Sequence, residues 1–191
     1  MNFQQVRQQL KQHGLEIFTT QEFINILRVS RGVAAVKLTR YKQAGYLISP
    51  RRSVYYLANE VEDTYKIANK VYSPSYISLD NALSKYDLIP ETVYTITSVT
   101  TKATREFTDD QTVYRYYRIK KEAFTGYHKE GDTLWADPEK AVVDYLYFVA
   151  QGKRELNNRL RVNKINKEKV WLYAKFFDNK RLNTLIERVF I

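Results

Sequence analysis

The stretch that decides the fold covers residues 30–57 and reads SRGVAAVKLTRYKQAGYLISPRRSVYYL. Ser30 is a favourable N-cap residue, and apolar residues then recur at helical spacing as far as Gly45. Residues 46–49 and 53–57 are rich in β-branched and aromatic residues and flank a turn that contains Pro50. The stretch therefore predicts a helix followed by a β-hairpin.

Two further helices are predicted before this stretch. Residues 2–13 place apolar side chains at spacings of three and four, and Gly14 is a suitable stop. Thr19 and Glu22 have the spacing of a capping box, which marks the start of the second helix. A short connection then joins the second and third helices. Three helices and a hairpin are the layout of a winged helix-turn-helix, so residues 1–59 are predicted to form such a domain.

The rest of the chain, residues 60–191, mixes helical and strand patterns. It predicts a second domain of mixed α/β structure, so the expected fold class is α+β. Helical patterns cover residues 60–72, 78–87, 137–150, part of 151–163, 167–177 and 180–189. Strand patterns cover residues 91–99 and 112–119, and a hairpin joins 124–128 to 133–136.

The positive charge of the chain lies at its two ends. The 191 residues carry 31 Lys and Arg against 21 Asp and Glu, a net charge of +10. Residues 1–59 contain nine basic and two acidic residues, and residues 151–191 contain 11 and four. Residues 60–150 are mildly acidic, with 11 basic and 15 acidic residues. This asymmetry indicates a polyanionic partner at two places, and a solvated basic surface is the alternative.

The first basic block coincides with the predicted winged helix. Residues 23–59 contain no acidic residue and seven basic ones. Because phosphates attract cations and repel carboxylates, this pattern favours duplex DNA as the partner. The predicted DNA-binding residues are Ser30, Arg31, Gly32, Val36, Lys37, Thr39, Arg40, Gln43, Arg51 and Arg52.

Helical geometry assigns roles to the face of the third helix that lies opposite its apolar side. Arg40 is suited to guanine and Gln43 to adenine, whereas Val36 and Thr39 are suited to a thymine methyl group. Gly32 removes a side chain where the backbone would approach DNA.

Other residues are expected to contact the DNA backbone. Ser30, Arg31 and Lys37 flank the reading face and are suited to phosphate. Arg51 and Arg52 occupy the predicted wing tip, where they would enter the minor groove or contact the backbone. A winged helix also serves as an RNA- or protein-binding module, and these alternatives stay open.

The second basic block has no accompanying motif. It suggests a second nucleic-acid surface formed by Lys153, Arg154, Arg159 and Arg161, and a solvated helical surface explains the same residues equally well.

Several classes of function are disfavoured by composition. The absence of Cys excludes disulfides, Cys-ligated metals and a Cys nucleophile, and two separate residues, His13 and His128, do not suggest a His-rich metal site. No cofactor-binding or catalytic motif is present. The expectation is therefore a non-enzyme without metal or cofactor. The first twenty residues lack an apolar signal, and no apolar run has the length of a membrane span, so a cytoplasmic location is expected.

One segment offers an enzymatic alternative. Asp137, Glu139, Lys140 and Asp144 would suit a nuclease that uses carboxylates to hold Mg²⁺ and a lysine to stabilise charge. The competing interpretation makes Asp137 a helix cap, with Glu139–Lys140 and Lys140–Asp144 as surface ion pairs. The second interpretation is favoured because nuclease ligands usually lie on a strand end with a third acid elsewhere, whereas Asp137 and Pro138 already have a role as a helix start.

Three passages together resemble a known family. They are AGYLI at residues 44–48 with VYYL at 54–57, PSYISLDNAL at 74–83, and ADPEKAVVDY at 136–145. In this order and at these separations they resemble the AbiEi family, the antitoxins of type IV abortive-infection toxin–antitoxin systems. The resemblance covers most of the chain and is weakest over the last forty residues.

The resemblance implies a phage-defence antitoxin that represses its own operon by binding inverted repeats through the winged helix. It also implies a nucleotidyltransferase-like toxin that is neutralised without a stable complex, although a solitary regulator without a toxin would share the same residues. Ser78 and Asp137 are then interpreted as helix caps, and Leu79, Ala82 and Leu83 as core residues.

Overall fold

The computed structural model describes residues 1–61 and 63–190. The N-terminal part contains three helices and a small sheet with strand order β1-β3-β2, in which both pairings are antiparallel. In chain order its elements are α1 (Phe3–Gln12), β1 (Ile17–Thr19), α2 (Thr20–Leu27), α3 (Arg31–Gln43), β2 (Leu47–Arg51) and β3 (Val54–Leu57). β1 was not predicted, because three residues are too few for strand alternation to be recognised.

Local hydrogen bonds explain where α2 and α3 begin. The Thr19 hydroxyl accepts from the backbone N–H of Glu22, and the Glu22 carboxylate accepts from the backbone N–H of Thr19. The predicted capping box is therefore present. The Ser30 hydroxyl accepts from the backbone N–H of Val33 at 3.3 Å, which makes Ser30 the N-cap of α3 as predicted. Arg28 adopts a left-handed conformation and turns the chain between the two helices.

The remainder of the chain combines five helices with a six-stranded mixed sheet of order β6-β7-β5-β4-β9-β8. Its helices are α4 (Thr64–Val71), α5 (Leu79–Lys85), α6 (Pro138–Ala150), α7 (Lys167–Lys175) and α8 (Lys180–Val189). Its strands are β4 (Ser75–Ile77), β5 (Ile96–Thr100), β6 (Arg105–Thr108), β7 (Val113–Arg118), β8 (Tyr127–Glu130) and β9 (Thr133–Ala136). The fold is thus α+β, as expected.

Helices cover both faces of the large sheet. On β5, the Thr97 hydroxyl bonds Asn81 of α5. The next residue, Ser98, points to the other face together with its register partner Tyr116, whose hydroxyl bonds the Ala68 carbonyl of α4. α5 and α4 therefore lie on opposite faces, and α6 packs beside α5.

The helix α4 joins the two parts of the molecule. It contacts β1 and β3 of the small sheet and also β4, β5 and β9 of the large one. One hydrophobic cluster lies inside the N-terminal part, and the larger cluster extends from the C-terminal part to Ile17, Val54 and Tyr56. The boundary predicted near residue 59 falls between β3 and α4, where the two parts share this larger core.

The helical prediction for part of residues 151–163 is wrong. Beyond α6 the chain turns at Gly152, which has a φ of 68°, and then continues without a helix. The Tyr145 hydroxyl donates to the Glu155 carbonyl and accepts from the Asn157 N–H. These contacts, and a bond from the Arg161 N–H to the Leu88 carbonyl, use backbone groups that a helix would have paired internally.

No helix in the described part of the chain has the length and apolar character needed to cross a membrane.

Candidate nucleic-acid interface

α3 buries one side and exposes the other. Ala34 and Leu38 are buried in the core of the N-terminal part. Lys37 is half-buried, and its ammonium donates to the Met1 carbonyl at 3.1 Å. The other predicted contact residues on this helix and its cap are solvent-exposed: Ser30, Arg31, Gly32, Val36, Thr39, Arg40 and Gln43.

The exposed side of α3 carries small and apolar side chains that a solvated helix does not need. Val36 is 52% exposed and Val33 is 45% exposed, and Ala35 is exposed between them. Val33 and Ala35 are not among the predicted contact residues, although each follows from the same helical geometry. A Cβ on Gly32 would meet no atom within 4 Å, so packing inside the protein does not require glycine there.

The sequence that contains α3 is also rich in cations that have no acidic partner in the part of the chain that the structure describes. None of the seven cations in residues 23–59 forms an ion pair with a carboxylate of the described residues. The nearest acid in sequence, Glu22, is held by the ammonium of Lys70 and by the α2 capping box. Burial acts to raise the pKa of Glu22, but these hydrogen bonds outweigh it and lower the pKa. The carboxylate is therefore ionised and paired with the Lys70 ammonium.

The two predicted wing arginines point in different directions. Arg52 is exposed at the β2–β3 turn. Arg51 is half-buried, and its guanidinium donates to the Val71 carbonyl at 2.9 Å and lies over the rings of Tyr72 and Phe107. The assignment of Arg51 to DNA is thus corrected, because its side chain joins the β2–β3 hairpin to the C-terminal part.

The predicted second surface is not a continuous set of free cations. Arg154 bonds the Asp80 carboxylate at 2.5 Å and lies over the Tyr117 ring. Arg159 is ion-paired with Glu91. Lys153 and Arg161 remain exposed. Arg154 is therefore held inside the C-terminal part, whereas the Arg159 side chain stays 62% exposed beside its ion pair. The second nucleic-acid surface stays a prediction.

The candidate nuclease residues divide between a buried pair and a half-buried network. Lys140 and Asp144 form an ion pair with both side chains completely buried, so the expectation of a surface pair is wrong. Asp144 also accepts from the Tyr76 hydroxyl at 3.0 Å and the Ser78 hydroxyl at 2.8 Å. Ser78 lies at the N-cap position of α5 without capping it, because its hydroxyl is directed to Asp144.

Asp137 precedes α6 at the N-cap position, as predicted, but its carboxylate makes no capping bond. It accepts instead from the Tyr173 hydroxyl at 2.6 Å and lies 2.9 Å from Nδ1 of His128. Lys169 bridges Asp137 and Glu139 at 3.3 and 3.1 Å. Burial opposes the ionised form of Asp137, but the bonds from Tyr173 and His128 lower its pKa overall.

These contacts leave the nuclease alternative without an open carboxylate pair. Within residues 1–61 and 63–190, no group of three or more His, Asp or Glu side chains has the geometry to hold a metal ion. Lys140, the residue that would stabilise charge, has no exposure to solvent. The structure thus presents α3 as the better candidate for an interface.

No protein-family model matches this sequence, and no curated protein matches it.

Proposed function

We propose that the protein is a transcriptional regulator that binds duplex DNA in a sequence-specific manner, with residues 1–59 acting as a winged helix-turn-helix. The observation that carries the proposal is the exposed side of α3. It combines unpaired cations, small apolar side chains and the absence of acids over residues 23–59. This combination suits the major groove, where base edges offer hydrogen-bonding groups and thymine methyls beside negative phosphates.

The proposed docking follows from which side chains are free. α3 enters the major groove, with Arg40 and Gln43 reading base edges and Val36 contacting a thymine methyl. Arg31 and the start of α3 lie against phosphate, where the positive end of the helix dipole is favourable. Arg52 at the hairpin turn contacts the neighbouring backbone.

The resemblance to AbiEi antitoxins extends the proposal to the biological role. The protein would repress its own operon and protect the cell from a nucleotidyltransferase-like toxin without a stable complex. In support, two of the resembling passages meet in space, since Tyr76 and Ser78 of one bond Asp144 of the other. We interpret these motif residues as a structural network of the C-terminal part.

The DNA-binding proposal is tested with the promoter of the protein's own gene and a scrambled duplex of equal length. Wild-type protein is expected to prefer the promoter, with an affinity that falls steeply as salt rises. Arg40→Ala should lose about 1–3 kcal/mol of discrimination at one base pair. Equal binding to both duplexes, or tighter binding to single-stranded RNA, would contradict the proposal.

The antitoxin role is tested in cells that express a neighbouring nucleotidyltransferase-like reading frame. Co-expression of the wild-type chain should restore growth. Arg40→Ala should still restore growth while losing repression of a promoter fusion, because the two activities are assigned to different parts of the chain. Failure of wild-type protein to restore growth would contradict the antitoxin role and leave the DNA-binding proposal standing.

A further inference from the structure

A groove of ≈ 400 Å³ lies between the end of α6 and the exposed side of α8. Its apolar lining, which we call the floor, consists of the half-buried residues Val149, Ala150 and Leu185. Its polar lining, which we call the rim, is exposed and comes entirely from α8: Lys180, Arg181, Thr184 and Arg188. We refer to these seven residues as the α6–α8 groove. The groove is far from α3 in sequence, and the sequence did not predict it.

The cations of the rim have no counter-charge in the described chain. Lys180, Arg181 and Arg188 form no ion pair with a carboxylate of residues 1–61 or 63–190. The acids nearest in sequence, Asp178 and Glu187, are exposed and do not line the groove. The rim is therefore a concentrated positive field beside an apolar floor.

The placement of two of these cations is unfavourable for the helix itself. Lys180 and Arg181 are the first two residues of α8, and its first turn contains no acid. The positive end of the helix dipole favours Asp and Glu there and disfavours cations. Residues that destabilise their own helix, with no compensating contact inside the chain, are typical of a site that binds a partner.

We propose that the α6–α8 groove binds an acidic segment of a partner protein in which an apolar side chain lies between carboxylates. The apolar side chain would occupy the floor over Val149 and Leu185, and the carboxylates would pair with Lys180 and Arg181 at the rim. Duplex DNA fits less well, because a phosphate backbone gains nothing from an apolar floor. This site is independent of the DNA-binding proposal for α3.

The probe is a short fluorescent peptide of alternating glutamate and leucine, whose binding to the full chain is followed by anisotropy. A matched peptide with serine in place of leucine measures the contribution of the floor, and a glutamine-for-glutamate peptide measures that of the rim. Both matched peptides are expected to bind about tenfold more weakly than the probe. Equal binding of the serine peptide would overturn the proposal.

Arg181→Glu is the test variant, and Lys164→Glu is its matched control, because Lys164 is an exposed cation of the same basic block outside the groove. Arg181→Glu should weaken the probe about tenfold and should raise the Tm of the free chain by about 2 °C, since it places an acid in the first turn of α8. Lys164→Glu should leave the probe affinity within about twofold.

Two outcomes would overturn the assignment. If both variants weaken the probe equally, attraction to the whole basic block explains the binding. If Arg181→Glu reduces promoter binding as strongly as Arg40→Ala and leaves the peptide unaffected, the rim is a DNA surface. A Tm increase with selective loss of the probe supports the proposal, because it shows that the cations serve a partner and not the fold.

Discussion

Lys140 and Asp144 lie one turn apart on α6 and are both completely buried. Burial raises the pKa of Asp144 and lowers that of Lys140, because each charge has lost its water. Hydrogen bonds from Tyr76 and Ser78 favour the carboxylate, and the Lys140 ammonium also lies over the Phe177 ring. This network ties β4 to α6 and gives the two resembling passages a structural role.

Asp144→Asn is expected to destabilise the protein by about 3–5 kcal/mol, because it leaves the Lys140 ammonium buried without its counter-charge. Urea denaturation measures the loss. Glu106→Gln is the control, since it breaks an exposed pair with Arg115 and should leave the midpoint nearly unchanged. Replacing both buried partners, with Lys140→Met and Asp144→Leu, should recover only part of the stability, because the buried Tyr76 and Ser78 hydroxyls then lose their acceptor. A midpoint unchanged by Asp144→Asn would contradict this account.

At the scale of elements, α3 packs against the core with one set of residues and faces solvent with another. Ala34 and Leu38 attach it to the core, and the Ser30 cap fixes its start. The exposed side is not optimised for the helix, because Gly32 and Val36 have weaker helix propensity than alanine. The space above Gly32 is open, so neither packing nor backbone conformation accounts for glycine at this position.

Gly32→Ala is expected to change protein stability and promoter affinity in opposite directions. The free protein should become more stable by up to about 1 kcal/mol, since alanine loses less backbone entropy in a helix. Promoter affinity should fall about tenfold, because the new methyl group would stand between the backbone and DNA. Urea denaturation and anisotropy measure the two effects. Gln8→Ala on the exposed side of α1 is the control, and unchanged promoter affinity for Gly32→Ala would show that DNA does not approach this backbone.

At the scale of the whole molecule, the two parts are joined closely. α4 packs between the small and large sheets, and the Tyr56 hydroxyl of β3 donates to the Asp109 carboxylate at 3.0 Å. Arg51 crosses the same junction to the Val71 carbonyl. The hairpin is thereby fixed relative to the C-terminal part, which holds α3 and the hairpin turn in one orientation.

Adjacent arginines test this junction. Arg51→Ala should destabilise the protein by about 1–2 kcal/mol, because it removes a hydrogen bond and the contacts with two aromatic rings. Arg52→Ala should leave the urea midpoint unchanged and weaken promoter and scrambled duplexes alike, because its side chain is exposed and assigned to the backbone. The reverse result, with stability lost in Arg52→Ala and DNA affinity lost in Arg51→Ala, would contradict the assignment of both residues.

Prediction from sequence succeeded where a signal repeats along the chain. The helices α1, α3, α7 and α8 follow from apolar spacing and caps, and β7 and β9 from runs of β-branched and aromatic residues. β1 and β4 have three residues each, too few for a pattern to emerge, and β6 was not predicted either. The helix expected in part of residues 151–163 was wrong, because Tyr145 supplies hydrogen bonds that no local pattern reveals.

By itself, the sequence determined the three helices and the hairpin of the N-terminal part, the exposed side of α3 and the location of the basic blocks, because helical periodicity and charge are local properties. Only the tertiary structure decided that Lys140–Asp144 is buried, that Arg51 points inward while Arg52 points outward, and that α6 and α8 border an open groove. The physical reason is that burial and ion pairing depend on neighbours that are distant in the chain, and the local spacing of residues does not reveal which neighbours those are.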